Sequence, residues 1–352
     1  MDVFVLNENL ETIAIVDAYV SLIWTERYSE HGDFELYTFV DTPLLQCLRK
    51  NNYLVLRESD ATMIIEDLFL DTDVESGQYL TVTGRSLESI LDRRIIWGQK
   101  TVTGNLQNVI HELLNDCIIS PVNPDRKIDN FIFEDTTDEY IAQLTIDAQF
   151  TGDNLYDVVK SLCDEASIGF RIVLNDANQF VFSLYSGEDR SYDQDKNPYV
   201  VFSPEFDNIL SSSYMESSKS LKTVTLIAGE GEGSARKMTS VGDGTGLSRR
   251  ELFTDARDIS TTVDDRTLTD AEYTAKLEQR GLEKLAENSS IGSFEGQVES
   301  TRMFVYGEDF FMGDIVQVAN EYGIEGKARI TELIRSHSEA GLDVYPTFNM
   351  IE

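Results

Sequence analysis

Carboxylates are the first residues in this chain that could do chemistry, because 63 of its 352 residues are Asp or Glu. Three adjacent pairs, Glu66-Asp67, Asp164-Glu165 and Asp264-Asp265, invite a reading as acid and base of a glycosidase. That chemistry needs two carboxyls from separate elements facing a sugar across a cleft, with one pKa raised. Adjacent acids do not meet the demand, and solvated charge is the expectation. The run Asp71-Thr72-Asp73-Val74-Glu75-Ser76-Gly77 starts like a calcium loop. Ser76 stands where the turn glycine belongs and Val82 where the bidentate Glu belongs, so a hairpin turn is expected instead.

Other chemistry fares no better. Gly229-Glu230-Gly231-Glu232-Gly233 and Gly242-Asp243-Gly244-Thr245-Gly246 lack a following Lys-Ser or Lys-Thr, and their acids repel phosphate. A mobile loop is expected over 229–247. No G-x-S-x-G elbow occurs, and His31, His111 and His337 are scattered, a poor choice of general base. Cys47, Cys117 and Cys163 are odd in number, far apart and outside any C-x-x-C pair; two fall on apolar helix faces, which predicts buried free thiols and no zinc site. Asn288-Ser289-Ser290 fits a glycosylation acceptor, without meaning unless the chain is exported. No residue is assigned a catalytic, cofactor-binding or metal-binding role, and no cofactor is expected.

The elements behind these residues come from composition and periodicity. Apolar residues make up 41% of the chain, with 18 Phe and 15 Tyr, enough for a sizeable core in two or more domains. No apolar run is long enough for a membrane span, and Met1-Asp2-Val3-Phe4 carries no signal pattern, so a soluble, folded protein without an export signal or stable membrane insertion is expected. The formal charge is −34, the opposite of what a phosphate-gripping protein needs; sequence-specific nucleic-acid binding is disfavoured. Such a surface is either ordinary solvated acid or a lining that keeps nucleic acid off.

From Met1 to about Gly98 the pattern is β, with short candidates at 2–6, 13–16, 19–24, 34–39, 53–57, 63–70 and 79–83. A short helix is expected after Ser86. Leu106, Val109, Ile110, Leu113, Leu114 and Cys117 form one helical stripe, as do Leu155, Val158, Val159, Leu162, Cys163 and Ala166, with Gly169 as the second helix's stop. A hairpin follows over 170–174 and 180–185. Strands return at 200–202 and 223–228. Thr269-Asp270-Ala271-Glu272 reads as a capping box opening a helix to about Asn288, with Tyr273, Leu277 and Leu285 on one face. Strands resume at 294–300.

One internal similarity crosses the chain. Strand 52–56, strand 63–68, Glu75-Ser76-Gly77 and strand 79–83 are matched by 314–318, 328–333, Glu339-Ala340-Gly341 and 343–347 at nearly equal spacings. Either any three-strand meander looks like this, or the chain holds two related β-domains.

Several stretches resemble siphophage tail proteins of the tail-hub or Tal-like baseplate kind, in their N-terminal hub region. They are Trp24-Thr25-Glu26-Arg27-Tyr28 with Gly32-Asp33-Phe34-Glu35-Leu36, Val82-Thr83-Gly84-Arg85-Ser86-Leu87, Asn154-Leu155-Tyr156-Asp157-Val158, and Gly307 with Phe310-Phe311-Met312-Gly313-Asp314. The resemblance implies an α+β fold of phage tail-hub type. Two β-barrel-like domains, at 1–100 and at 199–263 with 289–352, would flank a mixed α+β domain at 101–198, with an inserted helix at 264–288. It implies a virion protein of the tail tip, made in the host cytoplasm and not an enzyme. Three copies would close the tail tube as a homotrimer, adapting six-fold to three-fold symmetry around an acidic channel for DNA; Glu66, Asp67 and Glu332 are candidate channel acids. Expected partners are the distal tail protein or tail-tube ring, the tape measure protein, and receptor-binding or tip proteins, to which adhesive or lytic activity would belong. The alternatives are a carbohydrate-active or cell-wall-binding tail-tip protein, weakened by having only Trp24 and Trp97, and a calcium-stabilised adhesin.

Overall fold

The structure, a computed structural model, describes residues 1–351 except 74–76, 264–265, 290 and 299–302. It is mostly β, 43% strand and 21% helix. The first part of the chain forms β1 (Val3–Leu6), β2 (Thr12–Val16), β3 (Ser21–Arg27), β4 (Asp33–Phe39), a short α1 (Thr42–Cys47), β5 (Tyr53–Leu56), β6 (Thr62–Asp73) and β7 (Gly77–Ser86). Alternation drives these strands: in β4, Phe34, Leu36 and Thr38 are buried while Glu35 and Phe39 face out. Trp24, Leu36, Leu54, Met63 and Val82 share one core.

The middle of the chain supplies β8 (Gln99–Asn105), α2 (Leu106–Leu114), β9 (Phe131–Glu134), β10 (Thr145–Thr151), α3 (Leu155–Glu165), β11 (Gly169–Leu174) and β12 (Phe180–Tyr185). Their core also takes Leu87, Ile90 and Leu91 from a 3-10 turn over Leu87–Arg93, the short helix expected after Ser86. Asn105 and Asn154 cap α2 and α3 through their side chains. Gly169 is not the stop of α3. Ser167, at φ 54°, takes the left-handed position, and Gly169 already begins β11.

The remainder forms β13 (Val201–Phe202), β14 (Ile209–Ser217), β15 (Val224–Ala228), β16 (Met238–Gly242), β17 (Glu251–Asp255), β18 (Thr262–Val263), β19 (Arg266–Thr267), α4 (Asp270–Ala286), β20 (Ile291–Val298), β21 (Ile315–Ala319), β22 (Glu325–Ser338) and β23 (Gly341–Met350). The stretch 229–247 is therefore not simply a loop: β16 lies in it, paired with β15. The second β-domain expected at 199–263 and 289–352 is divided. Its strands β15, β16 and β17 make a separate three-stranded sheet that packs on α4 through Ile227, Ala256, Ile259, Tyr273 and Leu277. The reason is amphipathicity: α4 needs an apolar sheet face, and this one covers it.

The internal similarity becomes a matched pair of ladders. Met63 pairs with Ser86 as Ala328 pairs with Met350; Ile65 with Gly84 as Ile330 with Phe348; Asp67 with Thr83 as Glu332 with Thr347. Both ladders slip at the same place, between Ile65 and Asp67 and between Ile330 and Glu332. Leu54 faces Met63 as Val316 faces Ala328. The match extends to Phe34 with Gly84 and Phe294 with Phe348, and to Trp24 with Phe34 and Tyr214 with Phe294. Two five-stranded modules result, β3-β4-β7-β6-β5 and β14-β20-β23-β22-β21. The two ladders thus share a bulge as well as a strand order, which is more than a generic meander supplies.

The modules are not separate sheets. Beyond its bulge, β22 leaves β21 and pairs with β3 from Glu332–Arg27 to Ser338–Ser21, so one 13-stranded sheet runs through both among the described residues. A bulge bends its strand and re-aims its free edge, which lets β22 serve one neighbour before the slip and another after it.

Candidate functional site

The motif residues converge where the two modules meet the middle part of the chain. Tyr28, directly after β3, donates its backbone N–H to Thr331 (2.9 Å) and accepts from Phe170 (3.1 Å), joining all three parts. Its hydroxyl donates to the Ser167 carbonyl (3.2 Å), its ring meets Tyr185 edge-on at 5.2 Å, and Arg329 lies over it at 5.3 Å. Gly169 and Gly313 are glycines because of that ring: a Cβ on either would stand 2.5 or 2.3 Å from it. Gly313 also sits at φ 89°, where a side chain is strained. Burial pushes the Tyr28 hydroxyl up to about 12.

Near Tyr28 charges are paired both within and between the parts. Arg27 bridges Asp33 (2.6 Å) and Glu332 (2.7 Å). Asp314, 2% exposed, accepts from the Glu188 N–H (2.7 Å), the Phe311 N–H (2.9 Å) and Arg190 (2.6 Å). Arg335 of β22 binds Glu26 of β3, which also accepts from Ser59 (2.7 Å). Arg85 holds Glu66 with two bonds of 2.8 Å. The motif positions were legible in the sequence, but their common location was not, since Tyr28 and Arg329 lie 301 residues apart.

A cavity of about 530 Å³ opens beside this junction, lined in part by Glu26, Glu88, Arg171, Asp314 and Arg335. Its most perturbed acid is Glu88, whose carboxyl is raised by burial against the opposing bonds from Ser86 and Ile172. Ser86 donates to one oxygen and the Ile172 N–H to the other at 2.7 Å, while Ser86 accepts from the Gly32 N–H at 2.6 Å. Both oxygens are held by the chain itself, so the carboxyl fastens the 3-10 turn and β11 together.

The two described carboxylate pairs, Glu66-Asp67 and Asp164-Glu165, do not meet across a cleft. Glu66 is tied to Arg85; Asp164 accepts from Lys160 (2.5 Å) and Ser29 (2.5 Å); Glu165 accepts from Gln279 (2.6 Å). Asp264-Asp265 and the 74–76 part of the calcium-like run lie outside the described residues; Asp71 faces Tyr79 in a hairpin ladder. Of the candidate channel acids, Glu66 and Glu332 are ion-paired at the bulges and Asp67 is exposed. Trp24 is buried; Trp97 is 76% exposed beside a groove of about 800 Å³, with Arg126 over its ring at 5.5 Å. Cys117 and Cys163 are buried free thiols, and Cys47 is half-buried and free. Among the described residues no cluster of three or more His, Cys, Asp and Glu could hold a metal ion, and no helix is long and apolar enough to cross a membrane.

The family described as Siphovirus ReqiPepy6 Gp37-like protein matches residues 2–348. No curated protein matches the chain. The fold is similar to the prophage tail protein gp18 of Listeria monocytogenes EGD-e, with TM-score 0.57, 13% identity, and 99% of this chain and 94% of that one covered. It is equally similar to the 43 kDa tail protein of prophage MuSo2 from Shewanella oneidensis, with TM-score 0.57, 11% identity and coverage of 99% and 98%. A tail protein of Neisseria meningitidis MC58 follows at TM-score 0.55, 13% identity and coverage of 99% and 96%. At these identities the likeness is one of fold. Family and fold agree with the tail-hub resemblance carried by the motifs.

Proposed function

The chain belongs to the siphovirus family of ReqiPepy6 Gp37-like proteins, and from that premise we propose that it is a structural subunit of a phage tail-tip or baseplate hub. In this reading three copies close into a ring that presents six β-modules to a six-fold tail tube or distal-tail ring. The other face is three-fold, for the tip. Residues 1–100 and the strands from 199 to 352 outside the α4 unit form the two ring modules of each chain, and the mixed part at 101–198 lies further from the tube. The partners are the tape measure protein and receptor-binding or tip proteins, and the location is the virion.

One observation carries the reading: two modules with the same strand order, the same pairing and the same bulge in one chain. Duplication allows three identical chains to offer a near-six-fold surface, which a single module per chain would not. The charge of −34 supports a channel role, since a lumen of like sign repels DNA phosphates and lets the genome pass without adhering. The fastened acids of the junction favour a scaffold over catalysis. Imaging of the purified chain, with mass measured in solution, tests the proposal. A three-fold ring with six lobes is expected; a two-fold dimer or an open filament overturns it.

A further inference from the structure

Among the described residues, two of the sheet's open edges lie at places equivalent to a junction made inside the chain, which shows how such edges pair. Inside the chain, the outer half of β22 is covered by β3. The equivalent pieces of the other copies are bare. Among the described residues, β6 beyond Ile65 pairs only with β7, and β14 pairs only with β20. Unpaired edges of this kind are templates for another chain. Phe69, Leu70 and Met215, at 58%, 57% and 52% exposed, lie on these two edges.

We propose that β14 of a second copy of this chain adds to the outer half of β6 of the first, repeating between chains the β3–β22 junction made within each. The inference rests on the ring reading above and deepens it by naming the edges and their register. Transferring the internal pairing by module equivalence sets Asp67 opposite Ser217, Leu68 opposite Glu216, Phe69 opposite Met215, Leu70 opposite Tyr214 and Asp71 opposite Ser213. The parent register has Leu333 opposite Glu26 and Arg335 opposite Trp24. Leu68 with Glu216 therefore reproduces an existing Leu–Glu pair, and Tyr214 takes the place of Trp24.

The side chains favour this register over its neighbours. Both acids of the β6 edge face serines, so no like charges oppose one another, and the exposed apolar residues meet. A slip of one residue sets either Asp67 or Phe69 opposite Glu216. The two edges are different patches of one surface, so the contact is head-to-tail and closes only as a ring. Each copy then offers one edge and receives one, and no bare edge of either kind remains.

Cysteine pairing tests the register. The variant Phe69→Cys with Met215→Cys, oxidised as full-length protein, is compared with Phe69→Cys with Ser211→Cys, whose partners would stand about 14 Å apart along the strand. A second matched variant, Leu68→Cys with Glu216→Cys, covers the alternation of close and wide pairs in an antiparallel ladder. Dimers and closed trimers that vanish on reduction are expected from a matched variant and not from the shifted one or the wild type. Far-UV circular dichroism confirms that each variant folds. In parallel, Phe69→Asp lowers the solution mass by weakening association about tenfold, the loss of a few cross-strand contacts. If the chain forms rings by mass while neither matched variant cross-links, or the shifted one does so equally, the edge pairing is overturned and the ring reading survives. If the chain remains monomeric at high concentration and no variant cross-links, both fall.

Discussion

At the scale of single residues, Tyr28 does what the motif around it could not announce. Its ring fills the space left by Gly169 and Gly313, and its backbone joins β22 to β11. Gly313→Ala adds a Cβ 2.3 Å from that ring at a positive φ, and is expected to cost about 2–4 kcal/mol in denaturant unfolding. Tyr28→Phe keeps the ring and loses the hydroxyl bonds, costing about 1 kcal/mol. A reversed order of the two would show that the ring does not hold the junction. Glu283 makes a separate, pH-dependent case. It is buried beside Glu165, and burial first, then that neighbour, raise its carboxyl to about 7, against the pull of Arg280. Folding thus favours the protonated acid. Its contribution to stability is present below the ordinary value of 4.5 and is lost as pH rises through about 7. Glu283→Gln is expected to be more stable than the wild type above neutral pH, by roughly 1–3 kcal/mol, and to converge with it under acid. Thermal melts at several pH values check this, and a gap that is constant with pH rules it out. Both positions were visible as letters, but burial and neighbours were not.

At the scale of elements, legibility followed periodicity. The stripes of α2 and α3 and the box opening α4 were readable because capping and 3.6-residue spacing are local. Thr269→Ala removes an oxygen that accepts from the Glu272 N–H (3.3 Å) while Glu272 accepts in return from the Thr269 N–H (2.8 Å). The expected loss is about 1 kcal/mol by thermal unfolding, with Ser restoring most of it. The strands that went unread share a reason. β8 carries Gln99, Lys100, Thr101, Thr103 and Asn105 around a single buried Val102, and β16 lies in a Gly-rich stretch. β8 is held by β10, about forty residues further on, and β16 by the preceding strand β15, and neither by its own pattern. The bulges were also invisible, although the spacing that revealed the duplicated meander was set by them.

At the scale of the whole molecule, charge and assembly oppose one another. In the proposed ring, a copy carrying −34 would meet other copies of the same sign, so closure would have to overcome mutual repulsion. Contacts at the sheet edges act over a few ångströms and are little affected by salt, whereas repulsion between acidic surfaces reaches across the Debye length. That length shrinks from about 30 Å at 0.01 M to about 10 Å at 0.1 M salt. Raising ionic strength over this range should therefore increase the fraction of rings, measured by light scattering or analytical ultracentrifugation. A nucleic-acid-binding assembly would show the opposite slope towards its ligand, because salt competes with phosphate contacts. In the proposed ring the same repulsion would also disfavour filaments built from the two complementary edges. Head-to-tail addition that closes at a small number holds the charge in one compact ring, while open growth would add like charge without limit. If association weakens as salt rises, charge attraction holds the copies together, and the acidic surface is an interface instead of a lining.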